Sequence, residues 1–228
     1  MRTRCPLSSL WVCLIRGTPM SAPTMTLYFN AASPFARKVL VMLHETAQLD
    51  RVQLQPTVVT PVSPSAQLNE ENPAGKLPAL RLADGNVIHD SRVILDYLDH
   101  QHVGLPLIPR EGSSRWRRLT LASLADAVLD AAILIRYETA LRPQEKHWDQ
   151  WLDNQQQKIE RSLHYFESNA IIELSTSFDV ASISVAAALG YLDFRQPDLN
   201  WRSAYPRLAA WYLDASQRPS MIATQPSV

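Results

Sequence analysis

Apolar positions first fall into a regular pattern at Leu27-Tyr28-Phe29, a short strand start, with a turn over Asn30 to Pro34. From Ala36 to Gln48 the apolar residues Val39, Leu40, Leu43 and Ala47 recur at helical spacing. Val52 to Val59 is rich in β-branched residues and predicts a second strand, and Pro56, Pro61 and Pro64 break the pattern. Leu77 to Leu82 is a third apolar run. It leads into Asp84-Gly85-Asn86, a hairpin signal, and Val87-Ile88-His89 is the return strand. Asp90-Ser91 then caps a helix carrying Val93, Ile94, Tyr97 and Leu98. The order is β-α-β, then β-β-α. Residues 101–111, with Pro106 and Pro109, predict a linker.

Beyond the linker the pattern is helical throughout. Trp116 to Arg136 and Trp148 to Phe166 carry apolar residues at steps of three or four. Asp179 to Leu192 is nearly all apolar and predicts a buried helix with Asp179 at its N-cap and Ser182 closing a reciprocal capping box. Tyr205 to Leu213 is a shorter helix ending before Arg218-Pro219. The fold class is therefore an α/β domain over 25–100, followed by an all-α domain over 112–222 and a tail over 223–228. Residues 1–24 are expected to be a disordered or non-native extension rather than a secretory leader, because Met25 directly abuts the first strand pattern.

Composition narrows the chemistry. The 22 basic and 22 acidic residues balance, which argues against a nucleic-acid partner. Six glycines against 16 prolines argue against a glycine-rich phosphate loop. No run of about 20 apolar residues predicts a membrane span. Cys5 and Cys13 are the only cysteines, so thiol chemistry beyond them needs a thiol carried in by a ligand. The histidines are scattered, and His100-x-His102 is read as helix-end stabilisation. Asp126 and Asp130, at i and i+4, are read as a solvated or cleft-lining face, and no metal site is expected.

Ser33-Pro34-Phe35-Ala36-Arg37-Lys38 sits between a strand and a helix. Unpaired N–H groups and the dipole at a helix start favour an anion, and a serine hydroxyl there can donate to a sulfur anion. A free thiol of pKa about 8.5 is only about 3% thiolate at pH 7. Lowering that pKa by about two units takes roughly 2.7 kcal/mol. A charge-assisted hydrogen bond supplies about 1.5–3 kcal/mol and the helix end up to about 1. The bland alternative is that Ser33 is only an N-cap before a first-turn proline.

Together with Asn72-Pro73-Ala74-Gly75-Lys76-Leu77-Pro78-Ala79-Leu80 and Ile88-His89-Asp90-Ser91-Arg92, this segment resembles the glutathione transferase family over residues 25 to about 222. It is most similar to the small bacterial Ser-Pro-Phe members and also resembles the plant tau class. The resemblance implies a thioredoxin-like first domain that binds glutathione as cosubstrate and a helical bundle that shapes the second pocket. It implies Ser33 as the catalytic hydroxyl, with Phe35 beside it. Pro78 matches a cis-proline that lets the Leu77 backbone meet the cysteinyl unit, and Lys76 lies near the glycyl carboxylate. Asp90 matches the partner of the γ-glutamyl amine, and Ser91 that of its carboxylate.

Tyr28 is a rival to Ser33, because Tyr28-Phe29-Asn30-Ala31 resembles the strand carrying a catalytic tyrosine in the mammalian alpha, mu and pi classes. Trp116, Asp130 and Tyr137 are the weaker second-substrate candidates. The resemblance further implies attack on a small hydrophobic electrophile, peroxidase activity included, by a cytoplasmic homodimer in detoxification. The other class considered is a non-catalytic binding or regulatory protein of the same fold. Retention of Ser33, Lys76, Pro78, Asp90 and Ser91 argues against it.

Overall fold

A computed structural model describes residues 24–227. The N-terminal extension with Cys5 and Cys13 lies outside the described residues. The first part contains β1 (Met25–Phe29), α1 (Pro34–Glu45), β2 (Val52–Pro56), α2 (Ala66–Glu71), β3 (Ala79–Arg81), β4 (Val87–Ile88) and α3 (Ser91–Asp99). The sheet order is β2-β1-β3-β4, with β1 parallel to β2 and antiparallel to β3. The helical part contains α4 (Gly112–Leu141), α5 (Asp149–Tyr165), α6 (Ile171–Leu174), α7 (Val180–Arg195), α8 (Trp201–Ala204), α9 (Pro206–Ser216) and α10 (Pro219–Ala223).

The expected β-α-β and β-β-α order is present, with one addition. Helix α2 forms inside the segment that the prolines break. Ser65 has extended backbone and its hydroxyl accepts the Leu68 N–H at 3.2 Å, which starts the helix just past Pro64. Leu68 is then buried against Tyr28 and Ala79 on one face of the sheet. Strand β2 is shorter than its β-branched run, ending at Pro56, where Thr57 N–H turns back to the Phe29 carbonyl.

The main core is continuous across both parts. Leu27, Val39 and Leu43 of the first belong to one buried cluster with Leu129, Ile183 and Leu189 of the second. Helix α7 is its axis: every residue from Val180 to Leu192 is buried, and α4 and α1 pack on it. Burying each such Leu, Ile or Val stabilises by about 1.5–3 kcal/mol relative to exposure.

Asp179 caps α7 as expected, accepting from Ala181 N–H at 3.0 Å and Ser182 N–H at 3.4 Å. The reciprocal half of the capping box is not formed. The Ser182 hydroxyl turns the other way, to the carbonyls of Ser177 at 2.8 Å and Leu174 at 3.2 Å. A serine side chain is too short to reach the cap N–H that a glutamate spans. Arg118 of α4 engages Asp179 at 3.0 Å instead.

Candidate functional site

Strand pairing brings the predicted residues to one edge of the sheet. Tyr28 pairs with Ala79, and Leu80 with Ile88, both antiparallel. The end of β1, the start of β3 and the end of β4 therefore share an edge. Asn30 to Ser33, Leu77-Pro78 and His89 to Ser91 continue the chain from it. Helices α1 and α3 both begin there and pack side by side.

Ser33 is the N-cap of α1, with φ −82° and ψ 116°, and Pro34 follows at the first helical position. Its Oγ accepts the Ala36 N–H at 3.3 Å, and its own proton is committed to no acceptor among the described residues. The Phe35 N–H is likewise uncommitted. The cap reading and the anion reading of Ser33 are thus compatible: one lone pair serves the helix while the O–H stays available. The Leu77–Pro78 bond is cis. Neither N–H nor C=O of Leu77 joins a backbone hydrogen bond among the described residues. The Lys76 carbonyl accepts from Asn72 Nδ2 at 2.8 Å, and the Lys76 side chain is exposed.

At the start of α3, Asp90 is the N-cap and accepts the Arg92 N–H at 3.0 Å. The Arg92 guanidinium also closes on Asp90, with Nη2 to Oδ2 at 2.6 Å. That hydrogen bond holds the Asp90 carboxyl below the usual carboxylate range. Ser91 is buried, and neither its hydroxyl nor its N–H has a partner among the described residues. Uncommitted donors thus stand at two converging helix starts, beside an ionised carboxylate.

Tyr28 lies elsewhere. Its side chain is 5% exposed on the α2 face of the sheet, and its hydroxyl donates to Glu71 at 3.2 Å. Burial and the Glu71 carboxylate push the phenol pKa up. Strand alternation explains the placement: Leu27 faces the main core, so Tyr28 faces away from it.

The second-substrate candidates separate. Helix α4 is continuous from Gly112 to Leu141, so Trp116 and Tyr137 stand about 31 Å apart along its axis at about 1.5 Å per residue. No small-molecule pocket spans that length. Asp130 and Tyr137, two turns apart on one stripe, can share a site. Burial raises the Tyr137 phenol pKa.

Lys38 has no signal of its own in the sequence beyond its place in the Ser33 segment, yet it joins the site's surroundings. It is fully buried, and its ammonium contacts the Asp126 carboxylate of α4. Asp126 is therefore buried rather than solvated, and of the two expected placements it takes the cleft-lining one. Burial pushes the Lys38 pKa down and the Asp126 pKa up, each opposed by the other's charge. The pair borders a cavity of about 390 Å³ that Arg92, Asp96, Arg115 and Ser184 also line. This cavity lies beside α3 and does not include Ser33 or Pro78 among its walls. His102, by contrast, pairs with buried Asp99 at 3.2 Å, and His100 Nδ1 meets the Asp96 carbonyl at 2.7 Å. No cluster of three metal-binding side chains occurs among the described residues.

Residues 32–101 match the family model described as Glutathione S-transferase, N-terminal domain, and residues 149–213 match its C-terminal domain counterpart. A glutathione transferase family member from Pseudomonas fluorescens Pf-5, solved with bound glutathione, is 64% identical. That likeness covers 90% of this chain and 100% of that one, with a TM-score of 0.89. A second Pf-5 structure, 62% identical with a TM-score of 0.85 over the same shares, holds S-(propanoic acid)-glutathione. An uncharacterized GST-like protein of Escherichia coli (strain K12) is 29% identical over 89% of this chain and 98% of its own length. The chain belongs to the glutathione S-transferase family.

Proposed function

We propose that this chain is a glutathione transferase that activates the thiol of glutathione with the Ser33 hydroxyl for attack on a small apolar electrophile. The uncommitted Ser33 proton at the start of α1 carries this reading. A thiolate there would accept the Ser33 O–H and the Phe35 N–H while the α1 dipole favours its charge. Ser91, with a free hydroxyl and N–H, suits the γ-glutamyl carboxylate, and Asp90 suits the ammonium. The Leu77 backbone suits the cysteinyl amide, and the exposed Lys76 the glycyl carboxylate. Conservation of overall structure with the Pf-5 relatives, one holding glutathione and one an S-substituted glutathione, supports the same ligand here.

The second substrate would lie between Phe35 and the Asp130–Tyr137 stripe of α4. The thiolate forms the new bond to carbon, to a peroxide oxygen or to a disulfide sulfur as the leaving group departs with the bonding pair, so no metal is needed for the step. The reading includes a cytoplasmic homodimer with transferase and hydroperoxidase activity in detoxification. A glutathione titration followed by turnover on 1-chloro-2,4-dinitrobenzene, cumene hydroperoxide and a glutathione mixed disulfide tests it. Saturable binding with turnover on at least one substrate supports the reading, and binding without turnover on all three contradicts it.

A further inference from the structure

Both cations in the middle of α1, Arg37 and Lys38, are buried, and they face different neighbours. Arg37 reaches the C-terminal segment, donating to the Met221 carbonyl at 3.1 Å. Lys38 reaches α4. Its ammonium has three donors, and Asp126 is its only hydrogen-bond acceptor among the described residues. The ammonium also lies 5.4 Å from the centroid of the Phe35 ring, within the range of a cation–π contact.

Helical spacing explains the geometry. Phe35 and Lys38 are i and i+3 on α1, so their side chains share a face. Asp126, Asp130, Ile133 and Tyr137 follow the i, i+4, i+7, i+11 stripe of α4. One buried charge pair therefore fixes two surfaces against each other: the turn carrying Ser33 and Phe35, and the stripe carrying Asp130 and Tyr137. The pair joins the sheet-containing part to the helical part across the α1–α4 contact.

We propose that Lys38 is a positioning residue for the second-substrate pocket, holding the Phe35 ring and the Asp126–Tyr137 stripe in register. The inference rests on the reading that glutathione occupies the Ser33 edge. Lys38 touches neither the proposed thiol nor the electrophile. Its effect is on the shape of the apolar wall, so it governs the affinity of the group attached to sulfur and leaves the affinity of glutathione itself nearly unchanged.

A purely structural role makes a different prediction, and charge-free replacement separates the two. Lys38→Met or Asp126→Leu alone strands a buried charge and destabilises the fold. The double variant Lys38→Met/Asp126→Leu removes both charges and keeps apolar volume, which restores stability in such pairs. Calorimetric titration of the double variant with glutathione and with S-(2,4-dinitrophenyl)glutathione is the test, with thermal melting as the folding control. The expected result is a melting temperature near the parent's, glutathione affinity within about twofold, and dinitrophenyl-conjugate affinity reduced about five- to tenfold, as for an apolar wall no longer held in its bound position. Phe35→Leu should give a similar loss, and adding it to the double variant should lower affinity little further. Equal affinity of the double variant and the parent for the conjugate overturns the inference. A folded parent that binds neither compound overturns the glutathione reading, and the inference with it. If the double variant itself fails to fold, Lys38→Arg decides, since it keeps the buried charge opposite Asp126 but alters the cation's reach toward Phe35: conjugate affinity equal to the parent's overturns the inference, and a roughly five- to tenfold loss of conjugate affinity with glutathione affinity within about twofold sustains it.

Discussion

The Tyr28 hydroxyl donates to the Glu71 carboxylate at 3.2 Å, on the face of the sheet that α2 covers. It is thereby removed from the edge where α1 and α3 begin. Tyr28→Phe should leave turnover and glutathione affinity within about twofold. Its cost should appear in stability, at about 1.5–3 kcal/mol for one hydrogen bond to a charged partner. Steady-state kinetics and denaturant titration of the variant check both parts. A large loss of kcat with unchanged stability would restore Tyr28 as the thiol's partner.

At the other helix start, Asp90 is already engaged by Arg92 before any ligand arrives. Asp90→Asn keeps the cap's acceptor and removes the charge. Loss of a charge-assisted bond of about 1.5–3 kcal/mol predicts glutathione affinity about ten- to a hundredfold weaker. Ser91→Ala should act on the same term through the γ-glutamyl carboxylate. Calorimetry with glutathione measures either. Affinity unchanged in both variants would place the γ-glutamyl group elsewhere.

Glu45 near the end of α1 clamps the C-terminal segment through Arg218, at 3.0 and 2.7 Å, and through Ser220. Burial alone would raise the Glu45 pKa, but these donors outweigh it and the net shift is downward. The folded pKa is below the unfolded one. The clamp's contribution is therefore complete above the ordinary glutamate value of about 4.3 and fades as pH falls through the lower folded value. Arg218→Ala should lower stability at pH 7, with the gap to the parent closing in acid. Thermal melts across that range check the sign, and a gap that widens in acid contradicts it.

Gly190 in α7 lies where the Arg37 guanidinium and the Tyr212 hydroxyl meet, and a Cβ there would collide with Arg37. Arg37 cannot retreat without giving up its bond to the Met221 carbonyl. Gly190→Ala should therefore destabilise by about 1–3 kcal/mol despite its better helix propensity, lowering Tm by several degrees. A differential scanning melt decides the matter. A raised Tm would mean that propensity outweighs the collision.

The strands, the three caps at Ser33, Asp90 and Asp179, and the buried α7 were legible because each leaves a local signature of apolar period or capping residue. Helix α2 was not, since three prolines mask a start signal that lies in Ser65 alone. Lys38 and Asp126 were opaque for a different reason. A lysine and an aspartate in amphipathic helices are ordinarily solvated, and only the docking of α1 on α4 buries them together. Trp116 is grouped with Tyr137 because the family resemblance points to the helix after the linker without saying which part of it, and only the unbroken course of α4 puts the two at opposite ends. Ser182 was misread since a cap pattern does not reveal which carbonyls, here those of Ser177 and Leu174, a neighbouring turn brings within reach.

A borrowed thiolate stabilised by the Ser33 hydroxyl is the chemical centre of the proposed enzyme. Ultraviolet titration of glutathione bound to the parent and to Ser33→Ala, following thiolate absorbance against pH, measures it directly. The bound thiol in the parent should titrate about two units below free glutathione, and at least about one unit higher in Ser33→Ala than in the parent. Titration of the bound thiol at the same pH in both proteins would contradict it.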